Sequence, residues 1–168
     1  MDPQGLSELY AYNAYANELL LQTVIQVPEG QLHAPSSPSR GDVCTLLIHM
    51  LAVEKYFLYA CTGQAFAFNP GDCDDLEEMR QYWQALETER QNYLGGASQD
   101  DLAQEIHIQI REREFRLPRW QLLTQALVHS IHHRGELSIV LSQLGHPLPT
   151  LDPIVHFARE SGQEWPWE

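Results

Sequence analysis

Two histidines near the C-terminal end of the chain, His129 and His133, are four residues apart in a segment with helical periodicity. On a helix they lie about one turn apart on one face. Leu122, Ala126 and Val140 share that face at ~100° per residue, so it is an apolar face. Buried imidazoles need polar partners. A shared metal ion would satisfy both rings, as in zinc-dependent proteases, and hydrogen bonds to core neighbours are the alternative.

Two ligands do not hold a divalent ion firmly, so a metal site here requires a third. His49 is the best candidate, because it lies at the edge of the apolar stripe of an earlier helical segment. His132 lies ~80° or more from the centre of the stripe, and we expect it at the rim of the site or beside a ligand. The remaining histidines fall in loops, in an alternating segment and in the tail, where we expect surface or supporting roles: His33, His146, His107 and His156.

Three neutral imidazoles around one ion leave coordination positions for water or substrate. Structural zinc sites are typically closed by four protein ligands, whereas catalytic sites keep an open position. Nitrogen ligation suits zinc, nickel, iron or copper, and the sequence does not choose among them. An ion with an open position can act as a Lewis acid or lower the pKa of a bound water or thiol.

Four helical segments are predicted to position these residues, over about 5–26, 42–61, 74–94 and 118–144. Residues 27–40 are rich in proline and serine and predict a loop. The sequence therefore predicts an all-α protein with a four-helix bundle. The connector between the second and third helices is longer than a tight hairpin needs, so a simple up-down topology does not follow. Strict alternation over residues 106–111 predicts a short extended segment near 105–111, a strand or a connector. The charged residues 111–114 are expected to be solvated, and Pro118 to begin the last helix.

Composition limits the classes of function. The 168 residues fit one domain, 1–168, and contain no apolar run long enough to span a membrane. The net charge of −13, with Lys55 as the single lysine, disfavours binding to nucleic acid or to an anionic membrane. The N-terminus lacks the pattern of a secretory signal, so a cytoplasmic location is expected. Cys44, Cys61 and Cys73 are expected to be free thiols.

Four segments of the chain resemble motifs of the DinB-like (DNA-damage-inducible) family of four-helix-bundle metalloproteins. Residues 12–17, YNAYAN, resemble its Y-N-x-W-A-N motif, and residues 47–54 resemble its L-x-H-x-x-x-x-E pattern. Residues 129–136 resemble its H-x-x-H-H-R-G-Q motif, with Glu136 where glutamine is usual. Residues 144–147 and Asp152 resemble the segment that follows this last-helix motif in members of the family. The chain is identified on these motifs as a member of the family.

The resemblance implies a divalent metal, such as zinc, nickel or iron, held by His49, His129 and His133. It also implies a homodimer. Some relatives are thiol-dependent transferases or isomerases in which the metal activates a low-molecular-weight thiol. The first functional expectation is therefore a metal-dependent thiol S-transferase acting on a small-molecule substrate.

Two other functions stay open. One is a stress-associated metal-binding protein without turnover, in which the ion staples the helices together. The other is a metal-dependent hydrolase, for which Glu54 or Glu136 would be the general base. Arg134 is expected to pair with a carboxylate such as Glu54 or with an incoming anion.

Overall fold

The structure, a computed structural model, describes residues 2–68 and 75–166. These residues form seven helices and a two-stranded sheet. In chain order they are α1 (Pro3–Val24), α2 (Glu29–Leu32), α3 (Val43–Thr62), α4 (Leu76–Gly96), α5 (Gln99–Ala103), β1 (Glu105–Ile110), β2 (Arg113–Pro118), α6 (Arg119–Gln143) and α7 (Pro153–Glu160). The predicted all-α class is confirmed, and the four long helices begin and end close to the predicted bounds. Cys73 and the predicted helix start at Asp74 lie outside the described residues.

Side-chain caps start the long helices. The Asp2 carboxylate accepts hydrogen bonds from the first turn of α1, and the Asp42 carboxylate accepts one from the Thr45 N–H at 2.7 Å. Asp75 caps α4 in the same way. Each such cap stabilises its helix by about 1 kcal/mol. Gly63 ends α3 in the left-handed conformation, at φ 73°, which glycine adopts without steric cost.

The four long helices bury their apolar faces against one another. α3 lies along α6 and α1 lies along α4, while α1 also contacts α6 and α3 also contacts α4. By length and apolar composition alone, α3 is the one described helix that could cross a membrane. In the fold it is a core helix, because its leucines pack against the other long helices: Leu46, Leu47, Leu51 and Leu58.

A buried carboxylate, Glu54 on α3, connects all four long helices. Its oxygens accept hydrogen bonds from Asn13 and Asn17 of α1 at 3.1 and 3.2 Å, and from Ser130 of α6 at 2.6 Å. Arg90 of α4 completes the set with an ion pair of 2.7 Å. Burial alone would raise the pKa of Glu54, but the Arg90 charge and the hydrogen bonds from Ser130 and Asn13 lower it overall.

Arg134 of α6 belongs to the same polar cluster but does not bond Glu54 directly. Its Nη1 donates to the side-chain oxygens of Asn13 and Asn17 at 2.7 and 2.6 Å. The two asparagines therefore bridge the guanidinium and the Glu54 carboxylate. The expected direct pair of Arg134 with a carboxylate is wrong, because Arg90 occupies that place.

Residues 105–118 form an antiparallel hairpin in which Ile108 pairs with Phe115. The predicted extended segment is confirmed as β1. The charged residues 111–114 are exposed, as expected, and Pro118 directly precedes α6 as its N-cap, but the sequence did not predict that residues 113–118 form a second strand. Neither face of β2 is deeply buried, since Arg113, Phe115 and Arg116 are all exposed although they point to both faces of the strand.

The C-terminal tail forms α7, which the sequence analysis did not predict. The Tyr12 hydroxyl donates to the Leu151 carbonyl at 2.6 Å, and the ring of His156 stacks on Tyr15 at 5.0 Å. His156 is buried by these aromatic contacts on α1, so the expectation of a surface position is wrong.

Candidate metal centre

Three histidines from two neighbouring helices converge at one point. His49 lies in the first half of α3, and His129 and His133 lie one turn apart on α6. One potential ligand atom from each residue lies within 4.8 Å of the other two. The Nε2 atoms of His49 and His129 are 3.0 Å apart. The structure thus brings together the three residues that the sequence singles out.

The donor set fits a divalent transition metal. Zn–N bonds are ~2.0–2.1 Å long, which places the ligand atoms of a tetrahedral ion about 3.4 Å apart. The 3.0 Å between the Nε2 atoms of His49 and His129 and the 4.8 Å limit for the whole group lie on either side of that spacing. The Nδ1 atom of His129 is buried without a hydrogen-bond partner among the described residues. Its other nitrogen, Nε2, faces Nε2 of His49, and two imidazole nitrogens at that distance require a proton or a cation between them.

Glu136 orients the His133 ring. Its Oε2 lies 3.3 Å from Nδ1 of His133, and an ionised carboxylate only accepts, so Nδ1 carries the proton and Nε2 is free. Glu136 also accepts from the Ser37 hydroxyl at 2.6 Å, from the Ser39 hydroxyl at 2.7 Å and from the Ser39 N–H at 3.1 Å. Such carboxylate–histidine contacts fix the tautomer and direction of metal-binding rings.

The electrostatics of the cluster favour neutral rings. Burial, followed by the nearby Arg40 charge, lowers the pKa of His49 to about 4. Burial and the neighbouring histidines lower the pKa of His129 to about 4, and burial lowers the pKa of His133 as well. At neutral pH all three rings are unprotonated, which is the form that binds a metal.

Glu136 is a strong acceptor and a weak base. Burial raises its pKa, but the hydrogen bonds from Ser37, Ser39 and His133 outweigh burial and lower the pKa to about 2. Glu54, the other candidate base, is buried within the core cluster and bonded to four side chains. Neither carboxylate is poised to remove a proton from a ligand at the histidine cluster.

The other histidines lie apart from this group of ligand atoms. His132 is exposed, and the centre of its ring is 4.9 Å from that of His133, consistent with the expected position at the rim. His107 faces Glu114 across the hairpin at 3.3 Å. His33 lies 3.9 Å from the Cys44 sulfur. Cys44 and Cys61 are free thiols, and burial raises the pKa of Cys44 to about 11.

The sequence analysis missed Arg40, which touches the cluster. Its Nη2 lies 2.9 Å from Nε2 of His49. It also missed Ser37 and Ser39, which bond Glu136. All three belong to the proline- and serine-rich loop, where no periodicity indicates which side chains point to the site.

The fold and the three-histidine cluster together define a helical protein with a candidate metal centre between two core helices. The chain belongs to the DinB family, whose model matches residues 1–164. A DinB-like protein from Bacillus subtilis is similar in structure, with 17% identity, a TM-score of 0.62, and coverage of 86% of this chain and 96% of that one. A conserved protein from Enterococcus faecalis is similar at 15% identity and TM-score 0.60, over 81% of this chain and 93% of that one. At these identities the similarity shows the fold alone. No curated protein matches the chain significantly.

Proposed function

We propose that the chain binds one divalent transition metal through His49, His129 and His133 and uses it in a reaction of a low-molecular-weight thiol. The observation that carries the proposal is the convergence of three neutral ring nitrogens within 4.8 Å. Bound there, zinc, nickel or iron would supply Lewis acidity that lowers the pKa of a thiol in an open coordination position.

An open position is supported by the composition of the cluster. Among residues 2–68 and 75–166, the group that can hold an ion contains three histidines and no fourth ligand. Glu136, the nearest carboxylate, is engaged by His133, Ser37 and Ser39. Three protein ligands with one position left are typical of catalytic rather than structural zinc sites.

A hydrolase is a weaker alternative because it needs a general base. The low pKa of Glu136 and the burial of Glu54 disfavour both of the carboxylates considered for that role. A protein without turnover, in which the ion staples α3 to α6, is the second candidate. The same cluster supports it, since His49 and the His129–His133 pair come from those two helices.

Metal analysis tests the site itself. Purified wild-type protein, loaded with zinc or nickel and desalted, is expected to retain about one equivalent by elemental analysis. His49→Ala and His129→Ala are expected to lose it, because two ligands hold an ion weakly. His107→Ala, on the hairpin, is the matched control and keeps the metal. Full occupancy in either ligand variant would refute the assignment.

Thiol turnover separates the two candidate functions. Metal-loaded protein is incubated with several cellular thiols and a chromogenic electrophile, and the rate is compared with that of His129→Ala. Metal-dependent acceleration with at least one thiol is expected for the transferase. If the reaction of no thiol is accelerated while the ion stays bound, the alternative is favoured in which the ion only links α3 to α6.

We also propose that the protein forms a homodimer through the outer face of α6. Val128, Ile131 and Ile139 lie along this face and are 54%, 44% and 63% exposed. Three branched apolar side chains along one helix face are suited to burial against a second copy of the chain.

A further inference from the structure

Arg40 is held at the histidine cluster by a tightly bonded loop. The Gly41 N–H donates to the Ser37 carbonyl at 2.9 Å, and the Ser36 N–H donates to the Gly41 carbonyl at 2.8 Å. The Arg40 N–H donates to the Ser37 hydroxyl at 3.1 Å. The same hydroxyl bonds Glu136, so the loop and the His133 ring share one anchor. The placement of Arg40 is thus tied to the site.

The guanidinium lies beside the nitrogen of His49 that faces the histidine cluster. Its Nη2 is 2.9 Å from Nε2 of His49, the nitrogen that also faces His129. A guanidinium has five N–H donors and no acceptor, so it cannot itself bind a metal. Once Nε2 binds an ion, it no longer accepts from Arg40, and the guanidinium needs another acceptor.

The charges around the proposed ion indicate which kind of acceptor the Arg40 guanidinium would bind. Histidine binds a metal as the neutral imidazole, so the three ligands would bring no negative charge, and Glu136 is directed at His133 and the two serines. A divalent ion beside Arg40 would therefore gather three positive charges next to one carboxylate. An anionic ligand in the open position offsets this charge and accepts charge-assisted hydrogen bonds from the guanidinium. The centre would thus be locally cationic in a chain with a net charge of −13.

We propose that Arg40 makes the open position of this centre selective for anionic ligands, and that its guanidinium binds a carboxylate oxygen of a ligand there. The inference rests on the proposed metal site and adds the ligand class. It assigns Arg40 a positioning and selectivity role. An arginine fork suits a carboxylate better than a lysine ammonium does, because it can donate two parallel hydrogen bonds.

Ligand binding to Co²⁺-loaded protein tests this without reference to turnover. The visible absorption of the bound ion is followed during titration with acetate and, separately, with neutral imidazole. The proteins are wild type, Arg40→Gln, Arg40→Lys, and Arg116→Gln as a control with the same charge change on the hairpin. Losing a charge-assisted hydrogen bond is expected to raise the Kd of acetate on the order of tenfold in Arg40→Gln.

The remaining variants and the neutral ligand separate anion selectivity from general damage to the site. Imidazole affinity and Co²⁺ stoichiometry are unchanged in Arg40→Gln, Arg40→Lys keeps part of the acetate affinity, and Arg116→Gln behaves as wild type. Bound Co²⁺ with equal acetate affinity in wild type and Arg40→Gln would overturn the inference and leave the metal site intact. Equal weakening of acetate and imidazole would also overturn it, since Arg40 would then shape the site rather than select anions. Failure of the wild type to bind Co²⁺ would overturn both proposals.

Discussion

Ser130 and Glu54, 76 positions apart in sequence, are joined by a buried hydrogen bond of 2.6 Å from the serine hydroxyl to the carboxylate. Ser130 directly follows His129 on α6. Consecutive residues of this helix therefore serve two different environments, the core cluster around Glu54 and the histidine cluster.

Replacing Glu136 with alanine is expected to weaken metal binding about 10–100-fold. The variant loses the acceptor that orients His133 and the anchor of Ser37 and Ser39. Isothermal titration with Zn²⁺ measures the change. Glu136→Gln, which keeps an acceptor oxygen, should lose less, and Glu112→Ala on the hairpin turn should lose nothing. Unchanged affinity in Glu136→Ala would show that the ring is oriented by packing alone.

Removing the buried carboxylate should destabilise the fold strongly. Glu54→Gln removes one of the two carboxylates that pair with buried Arg90, leaving only Glu87 at 2.6 Å, so we expect a loss near the lower end of the ~3–5 kcal/mol that breaking a buried ion pair costs in the free energy of unfolding. Urea denaturation of the metal-free protein is the measurement. If the variant does not fold, Asn17→Ala, which removes one bridging amide, is expected to lose about 1–3 kcal/mol. Wild-type stability in both variants would contradict the role given to this cluster.

Acid should weaken the fold through the same carboxylate. The pKa of Glu54 is lower in the folded chain than in the unfolded chain, where glutamate titrates near ~4.3. Its stabilising contribution is therefore present above that pH and is lost as pH falls through the lower folded-state pKa. The free energy of unfolding, measured from neutral pH down to acid, should fall more steeply in wild type than in Asn17→Ala, which weakens the interactions of the carboxylate. Parallel curves would count against a lowered pKa.

A charge on the outer face of α6 should abolish self-association. Ile139→Glu places a carboxylate in the proposed dimer interface, and light scattering after size-exclusion chromatography is expected to show a monomer where wild type is a dimer. Ile25→Glu, a change of equal chemistry at another exposed isoleucine, should leave the dimer intact. Identical masses for wild type and Ile139→Glu would refute this interface.

Much of the site could be predicted because it depends on local helical geometry. The spacing of His129 and His133 places them on one face of any helix, and His49 lies at the edge of an apolar stripe. Arg40 could not be predicted. Its position depends on bonds between its loop and Glu136, which is nearly a hundred residues away in sequence. Such non-local contacts leave no periodic signal.

The errors in the fold have similar causes. β2 was missed because its exposed residues on both faces hide the alternation that identifies a half-buried strand. α7 was missed although Asp152 and Pro153 form a reasonable helix start and its eight residues are amphipathic, because the 11–18 residues over which periodicity is judged extend beyond both ends of so short a helix. The sequence does not show which of two distant arginines pairs with Glu54. The prediction of an Arg134 pair was wrong because Arg90 forms the ion pair with that carboxylate.

The polar cluster in the core also restricts how α6 can move. Ser130 and Arg134 are bonded to partners on α3 and α1, and they alternate along the helix with His129 and His133. Rotation of α6 about its axis would break these buried bonds before it could swing the imidazoles away from His49. The direction of the two rings is thus held from the adjacent face of the helix, ~100° away, and a substitution on α1 such as Asn17→Ala is expected to loosen the proposed metal site without touching a ligand.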